Sequence, residues 1–105
     1  MERVHVIAIL TAQEGRRAEL LALFNSNVPA VLAEDGCIEY GATIDTKGVG
    51  GFQTELGPDS FVVVEKWANL DALMSHAASP HMAAYQAASK GLTADRVIYV
   101  LSDTS

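Results

Sequence analysis

Phe61-Val62-Val63-Val64-Glu65-Lys66-Trp67-Ala68-Asn69-Leu70-Asp71-Ala72-Leu73-Met74-Ser75-His76 passes from a β-rich run straight into a helical one. The triple Val is the strongest strand signal in the chain, because β-branched side chains suit a pleated, half-buried surface. Alternation puts Phe61, Val63, Glu65 and Trp67 on one face and Val62, Val64 and Lys66 on the other. Asn69 is an N-cap for a helix beginning at Leu70, and Asp71 suits the positive end of its dipole. The inward stripe of that helix reads as Leu70, Leu73, Met74 and Ala77. Ser79 as cap and Pro80 at the first helical position then start a third helix, about 80–89. Extended to His81, the stretch holds the only Trp and two of the three His.

Upstream, Val4 to Leu10 is a nearly continuous apolar strand, the pattern of a strand covered on both faces. A helix follows over about 16–34, with Leu20, Leu23, Phe24, Val28, Val31 and Leu32 as its apolar stripe. Pro29 is expected to kink it or divide it in two. Gly36 suits a left-handed C-cap. Cys37 to Ile44 reads as the second strand, with Ile38, Tyr40, Ala42 and Ile44 on one face. A Gly-rich connection over 45–60 comes next, in which Phe52 and Leu56 either pin the loop or close as a lid. Arg96 to Leu101 is the fourth strand.

The order β, α, β, loop, β, split α, β fits an α+β ferredoxin-like sandwich: a four-stranded antiparallel sheet with helices on one face. One domain over 1–105 is expected. Helices on one face leave Ile7, Ile9, Val62, Val64, Ile98 and Val100 without cover. An apolar patch of that size calls for a homodimer packed sheet to sheet about a two-fold axis.

The chain has 105 residues, half of them hydrophobic, so a packed core is expected. A net charge of −6 excludes the basic footprint of nucleic-acid binding and disfavours anionic membrane surfaces. A single cysteine, Cys37, allows no internal disulfide and fits a cytoplasmic protein. It reads as a small buried hydrophobe. The charged, strand-like start suggests no secretory signal, and no apolar run approaches the roughly 20 residues of a membrane span.

His76 is the first candidate for chemistry. A His titrates near neutrality and can act as general base toward a phenol; it can equally cap the negative end of its helix. Trp67 either presents a flat wall to an aromatic ligand or packs in the core. Glu65 shares its face and needs a partner there, whether a ligand or a structural link. The Tyr40 hydroxyl can bond a substrate oxygen or Glu65. Phe61 lies on the same face as Trp67. His81 is placed at the surface or the pocket mouth, and His5 on the dimer face. His76 and His81 stand five apart across a Pro break, which aligns them on no single helix face, so no metal site is expected. The Gly48–Gly51 run lacks the Lys-Ser/Thr of a phosphate loop.

Three segments taken together resemble the antibiotic biosynthesis monooxygenase superfamily of dimeric α+β barrels, and quinol-monooxygenase-like proteins in particular. They are Ala33-Glu34-Asp35-Gly36-Cys37-Ile38-Glu39-Tyr40, Phe61 to Trp67, and His76-Ala77-Ala78-Ser79-Pro80-His81. The resemblance implies a homodimer, a pocket between sheet and helices, and cofactor-free oxidation of a small phenolic or quinol aromatic by O₂. Trp67 and His76 match the family's pocket-side Trp and His. The candidate set is therefore His76 as catalytic base, with Trp67, Tyr40, Glu65 and Phe61 against the substrate, and with neither cofactor nor metal. Two alternatives stand beside it: a non-catalytic small-molecule-binding protein of the same fold, and haem binding with degradation. In the haem-degrading branch an Asn on the first strand joins the Trp and His; Ala8 matches that position here.

Overall fold

The computed structural model describes residues 2–105. Its elements run β1 (Val4–Ala12), α1 (Arg17–Leu32), β2 (Cys37–Thr43), β3 (Ser60–Trp67), α2 (Leu70–Ala77), α3 (Pro80–Ser89) and β4 (Thr93–Ser102). The four strands form one sheet in the order β2-β3-β1-β4, all neighbours antiparallel, as the ferredoxin-like α+β pattern requires. Among the described residues no helix is long and apolar enough to cross a membrane.

The two central strands follow their alternation. Val4, Val6, Ala8, Leu10 and Ala12 of β1 are buried on the helix side, as are Phe61, Val63, Glu65 and Trp67 of β3. From α1, Leu20, Phe24 and Val31 pack onto them, and Met82 and Tyr85 of α3 add to the same core.

Four local expectations are corrected. First, α1 is not divided at Pro29: the helix runs through it. The missing donor would have served Asn25 one turn earlier, and Asn25 is exposed, where water can replace it. Second, Ile38 does not share a face with Tyr40. The register shifts between Cys37 and Glu39, so Ile38 bulges out and is exposed, while Cys37 opposite Trp67 and Tyr40 opposite Glu65 take the inner face. Third, α2 turns Ala72, Leu73 and His76 inward and leaves Leu70 and Met74 exposed. Fourth, Ile98 and Val100 pair with Ala8 and Val6 and so lie on the helix side; Val97, Tyr99 and Leu101 join Ile7 and Ile9 on the open side.

The long connection is held by polar groups. The Asp45 carboxylate accepts from the backbone N–H groups of Leu56 and Gly57 at 2.9–3.0 Å, which keeps its pKa below the ordinary carboxylate value. Arg17 donates to the carbonyls of Gly57 and Ser60. Phe52, 86% exposed, pins nothing.

The turn between α1 and β2 sets where α2 sits. Ala68 donates its N–H to the Gly36 carbonyl at 2.8 Å. Gly36 has φ +83°, and a Cβ there would come within 2.6 Å of the Ala72 Cβ. Only glycine satisfies both the conformation and the close approach. Gly36→Ala is expected to cost roughly 2–4 kcal/mol in urea denaturation, from backbone strain plus overpacking, whereas Gly91→Ala, with open space and no positive φ, stays near neutral.

Candidate functional site

The helix-side face of β3 carries a carboxylate into the core. Glu65 is buried, and the Trp67 indole N–H, two residues on and on the same face, donates to its Oε1 at 2.9 Å. Burial pushes the Glu65 carboxyl above its ordinary value; the indole hydrogen bond and nearby His76 pull the other way, and Glu34 adds to the push. Across the strand pair stands Tyr40, whose phenol burial raises further from its ordinary value, with the Glu65 charge reinforcing the effect.

An aromatic cluster frames these groups. Phe24 stacks on Tyr40 at 5.2 Å between ring centroids and meets Phe61 and Tyr85 edge-on at 5.8 and 6.1 Å. The His76 ring lies tilted against Trp67 at 4.6 Å and edge-on to Tyr40 at 5.4 Å. Its Nδ1 bonds Oε2 of Glu34 at 2.8 Å, and His81 Nε2 bonds the same oxygen at 2.8 Å.

A cavity of about 340 Å³ opens between the sheet and α3. Glu65 and Tyr40 line it from the sheet and Gln86 and Ser89 from α3; Ala8, Phe24, Met82 and Tyr85 supply apolar surface; Lys90 and Arg96, both exposed, stand at its mouth. Ile98 of β4 closes one side.

The structure therefore divides the candidate set. Tyr40 and Glu65 line the cavity. Trp67 and Phe61 are 0% exposed and lie behind the wall, Trp67 holding Glu65 and Phe61 supporting Phe24. His76, 4% exposed, is not on the wall either: Trp67 and Tyr40 cover its ring. Two participants stand outside that set. Phe24 is a cavity residue that reads in sequence as one more member of the α1 stripe. Glu34 lies just past α1 and joins both histidines; its place in the turn before Gly36 is the signal that could have drawn attention to it. His76 and His81 do converge, because the Ser79-Pro80 break puts them on two helices instead of one. His5 lies on the open sheet face, bonded to Asp103 at 2.9 Å. Cys37 is partly buried, and burial, with the Glu34 and Glu65 charges adding to it, raises its thiol pKa.

The chain matches the sequence profile of the family described as antibiotic biosynthesis monooxygenase over residues 3–88. It is 37% identical over 98 residues to an Escherichia coli K12 protein described as a probable quinol monooxygenase, YgiN, covering 91% of this chain and 93% of that one. Among solved structures it is similar to Rv0793 of Mycobacterium tuberculosis, with TM-score 0.80, 27% identity and coverage of 98% and 96% of the two chains. SnoaB of Streptomyces nogalater, described as a cofactor-independent oxygenase, shares the fold at TM-score 0.79 and 14% identity, with coverage of 100% and 96%. On the profile match and on the identity to YgiN, this chain belongs to the antibiotic biosynthesis monooxygenase family.

Proposed function

We propose that the protein is a monooxygenase that oxidises a small phenolic or quinol-type aromatic with O₂, the substrate lying in the cavity against Tyr40 and Glu65. The observation that carries this reading is a buried carboxylate on the wall of an aromatic-lined cavity, one oxygen held by Trp67. Its volume of about 340 Å³ falls at the small end of ligand pockets, roughly 300–1,000 Å³, and suits one or two fused rings. The likeness to YgiN points to the quinol class.

The reading assigns proton abstraction to Glu65. Its raised pKa brings it closer to neutrality, which improves a carboxylate as base. Removing a hydroxyl proton gives an electron-rich anion, which passes an electron to O₂; recombination of the two radicals forms the new C–O bond. For a quinol, one oxygen atom is inserted into a ring C–H bond. The other leaves as water with the two hydroxyl hydrogens. The products are a hydroxyquinone and water, and the substrate supplies all four electrons. Lys90 and Arg96 at the mouth favour the anion. His76, expected from sequence as the base, becomes a positioning residue: it packs on Trp67, which holds Glu65.

Oxygen uptake with a naphthoquinol tests the assignment. The wild type is expected to exceed buffer, Glu65→Gln to lose about 100-fold or more, and His76→Ala to lose less. No uptake above buffer, or full activity in Glu65→Gln, overturns it.

The same carboxyl gives a stability signature. Because its folded pKa is raised above the ordinary 4.5, the proton it binds stabilises the fold fully at pH below about 4.5. That stabilisation is lost as pH rises through the folded pKa. Thermal denaturation from pH 4.5 to 8 should show the wild type losing stability relative to Glu65→Gln; parallel curves would contradict the buried-carboxyl account.

We further propose that two copies pair through the open face of the sheet. Support comes from the apolar band of Ile7, Ile9, Val62 and Val64, continued by half-exposed Tyr99 and Leu101. Light scattering is expected to give twice the 11.2 kDa chain mass, and Val64→Lys to halve it; a monomeric wild type refutes the pairing.

A further inference from the structure

Glu34, His76 and His81 come from the end of α1, the end of α2 and the start of α3, yet they meet at one point. One donor atom on each side chain lies within 4.8 Å of both others, and Glu34 Oε2 sits 2.8 Å from a ring nitrogen of each His. We propose that this trio binds a first-row divalent transition-metal ion such as Zn²⁺ or Co²⁺, through two imidazoles and one carboxylate.

The donor set matches that class: imidazole nitrogen suits Zn, Co and their neighbours, whereas Ca²⁺ and Mg²⁺ prefer all-oxygen shells. Metal bonds of about 2.1 Å place adjacent donors roughly 3.0–3.4 Å apart, so each 2.8 Å pair with Glu34 needs to open by only a few tenths of an ångström, while the two imidazole donors, within 4.8 Å of each other, draw in around the ion. The proton inventory also permits it. A carboxylate only accepts, so each facing nitrogen now carries its proton. A neutral imidazole can move that proton to its other nitrogen and present a lone pair to the ion.

The surroundings hold two of the ligands still. Glu34 lies in a tight turn, its N–H donated to Val31 and its carbonyl accepting from Cys37. His76 is fixed between Trp67 and Tyr40. His81, partly exposed, is free to adjust. A second cleft, of about 470 Å³, runs beside Glu34; its walls include Asp35 and Asp71 and no Lys or Arg, so its field draws cations toward the trio. Three protein ligands leave a coordination position for water. The ion would clamp the ends of the three helices and fix His76 behind Trp67. This assignment does not depend on the quinol reading.

The test is titration of chelator-stripped protein with Co²⁺, followed by visible d–d absorption and by ¹H NMR of the His ring protons. One equivalent is expected to bind, with paramagnetic shifts on His76 and His81 and none on His5. Glu34→Gln and His81→Ala should weaken binding at least 10–100-fold, the range that even outer partners of a metal ligand are worth, and His5→Ala should leave it unchanged. Absence of d–d bands with stoichiometric Co²⁺, shifts on the His5 ring, or binding retained in both ligand variants overturns the site. The wild-type NMR decides the matter without any variant that fails to fold.

Discussion

A carboxylate buried on the packed face of a sheet has to be held, and the Trp67 indole N–H on the Glu65 oxygen does the holding. Both residues sit on β3 at a spacing of two, so the strand's own pleat delivers donor and acceptor to the same side. Much follows from that pair. Trp67 is large and wholly buried, so α2 must pass over it at a distance that admits the His76 ring at 4.6 Å. That passage rests on the Gly36 turn, where Ala68 and Ala72 approach a backbone without a side chain. The turn in turn places Glu34 within reach of His76.

Glu34 and Glu65 are thus the two ends of a line: hydrogen bond to His76, ring contact with Trp67, hydrogen bond to Glu65. The ends face different spaces, Glu65 the aromatic-lined cavity and Glu34 the acidic cleft. Among the described residues no buried side-chain polar atom lacks a partner, so the line is a satisfied network rather than a set of isolated charges. Its central members are aromatic and touch through ring faces and edges. The Glu34 charge also acts on Glu65 through space, adding to the rise that burial causes.

What was legible in sequence was what alternation or a cap residue marks. In β3 the polar residues Glu65 and Lys66 fall on opposite faces, and the reading of that strand is right at every position. Asn69 and Ser79 cap α2 and α3 as expected, accepting from Ala72 and Met82. In β4, Val97 to Leu101 is apolar throughout, so nothing in the run says which face is which; only pairing with β1 decides, and it decides against Ile98 and Val100 as open-face residues. The bulge at Ile38 has no local signature either. In α2, Leu70, Leu73, Met74 and Ala77 make a regular stripe, but an eight-residue helix has little apolar area to set its rotation. The close fit over Gly36 and the bond from His76 to Glu34 set it instead. Glu34 and His81 were invisible as partners because their meeting is a tertiary fact.

The half-exposed strand β4 has a consequence for the cavity. Helices α1 to α3 cover β2, β3 and β1, and the helix side of β4 is left with Ile98 and Val100 about half exposed. Ile98 is also a wall of the cavity. The cavity is therefore open along the edge where the helical layer ends, and Arg96, on that same strand and face, stands at the opening with Lys90. An aromatic substrate entering there would meet apolar β4 side chains and Arg96 on one side and Lys90 on the other. Its ring would slide toward Phe24 and Tyr40 while an ionising hydroxyl ends beside Glu65, the one carboxylate on the wall. Under the proposed reading, the half-exposed helix side of β4 beside Ile98 would serve as the entrance.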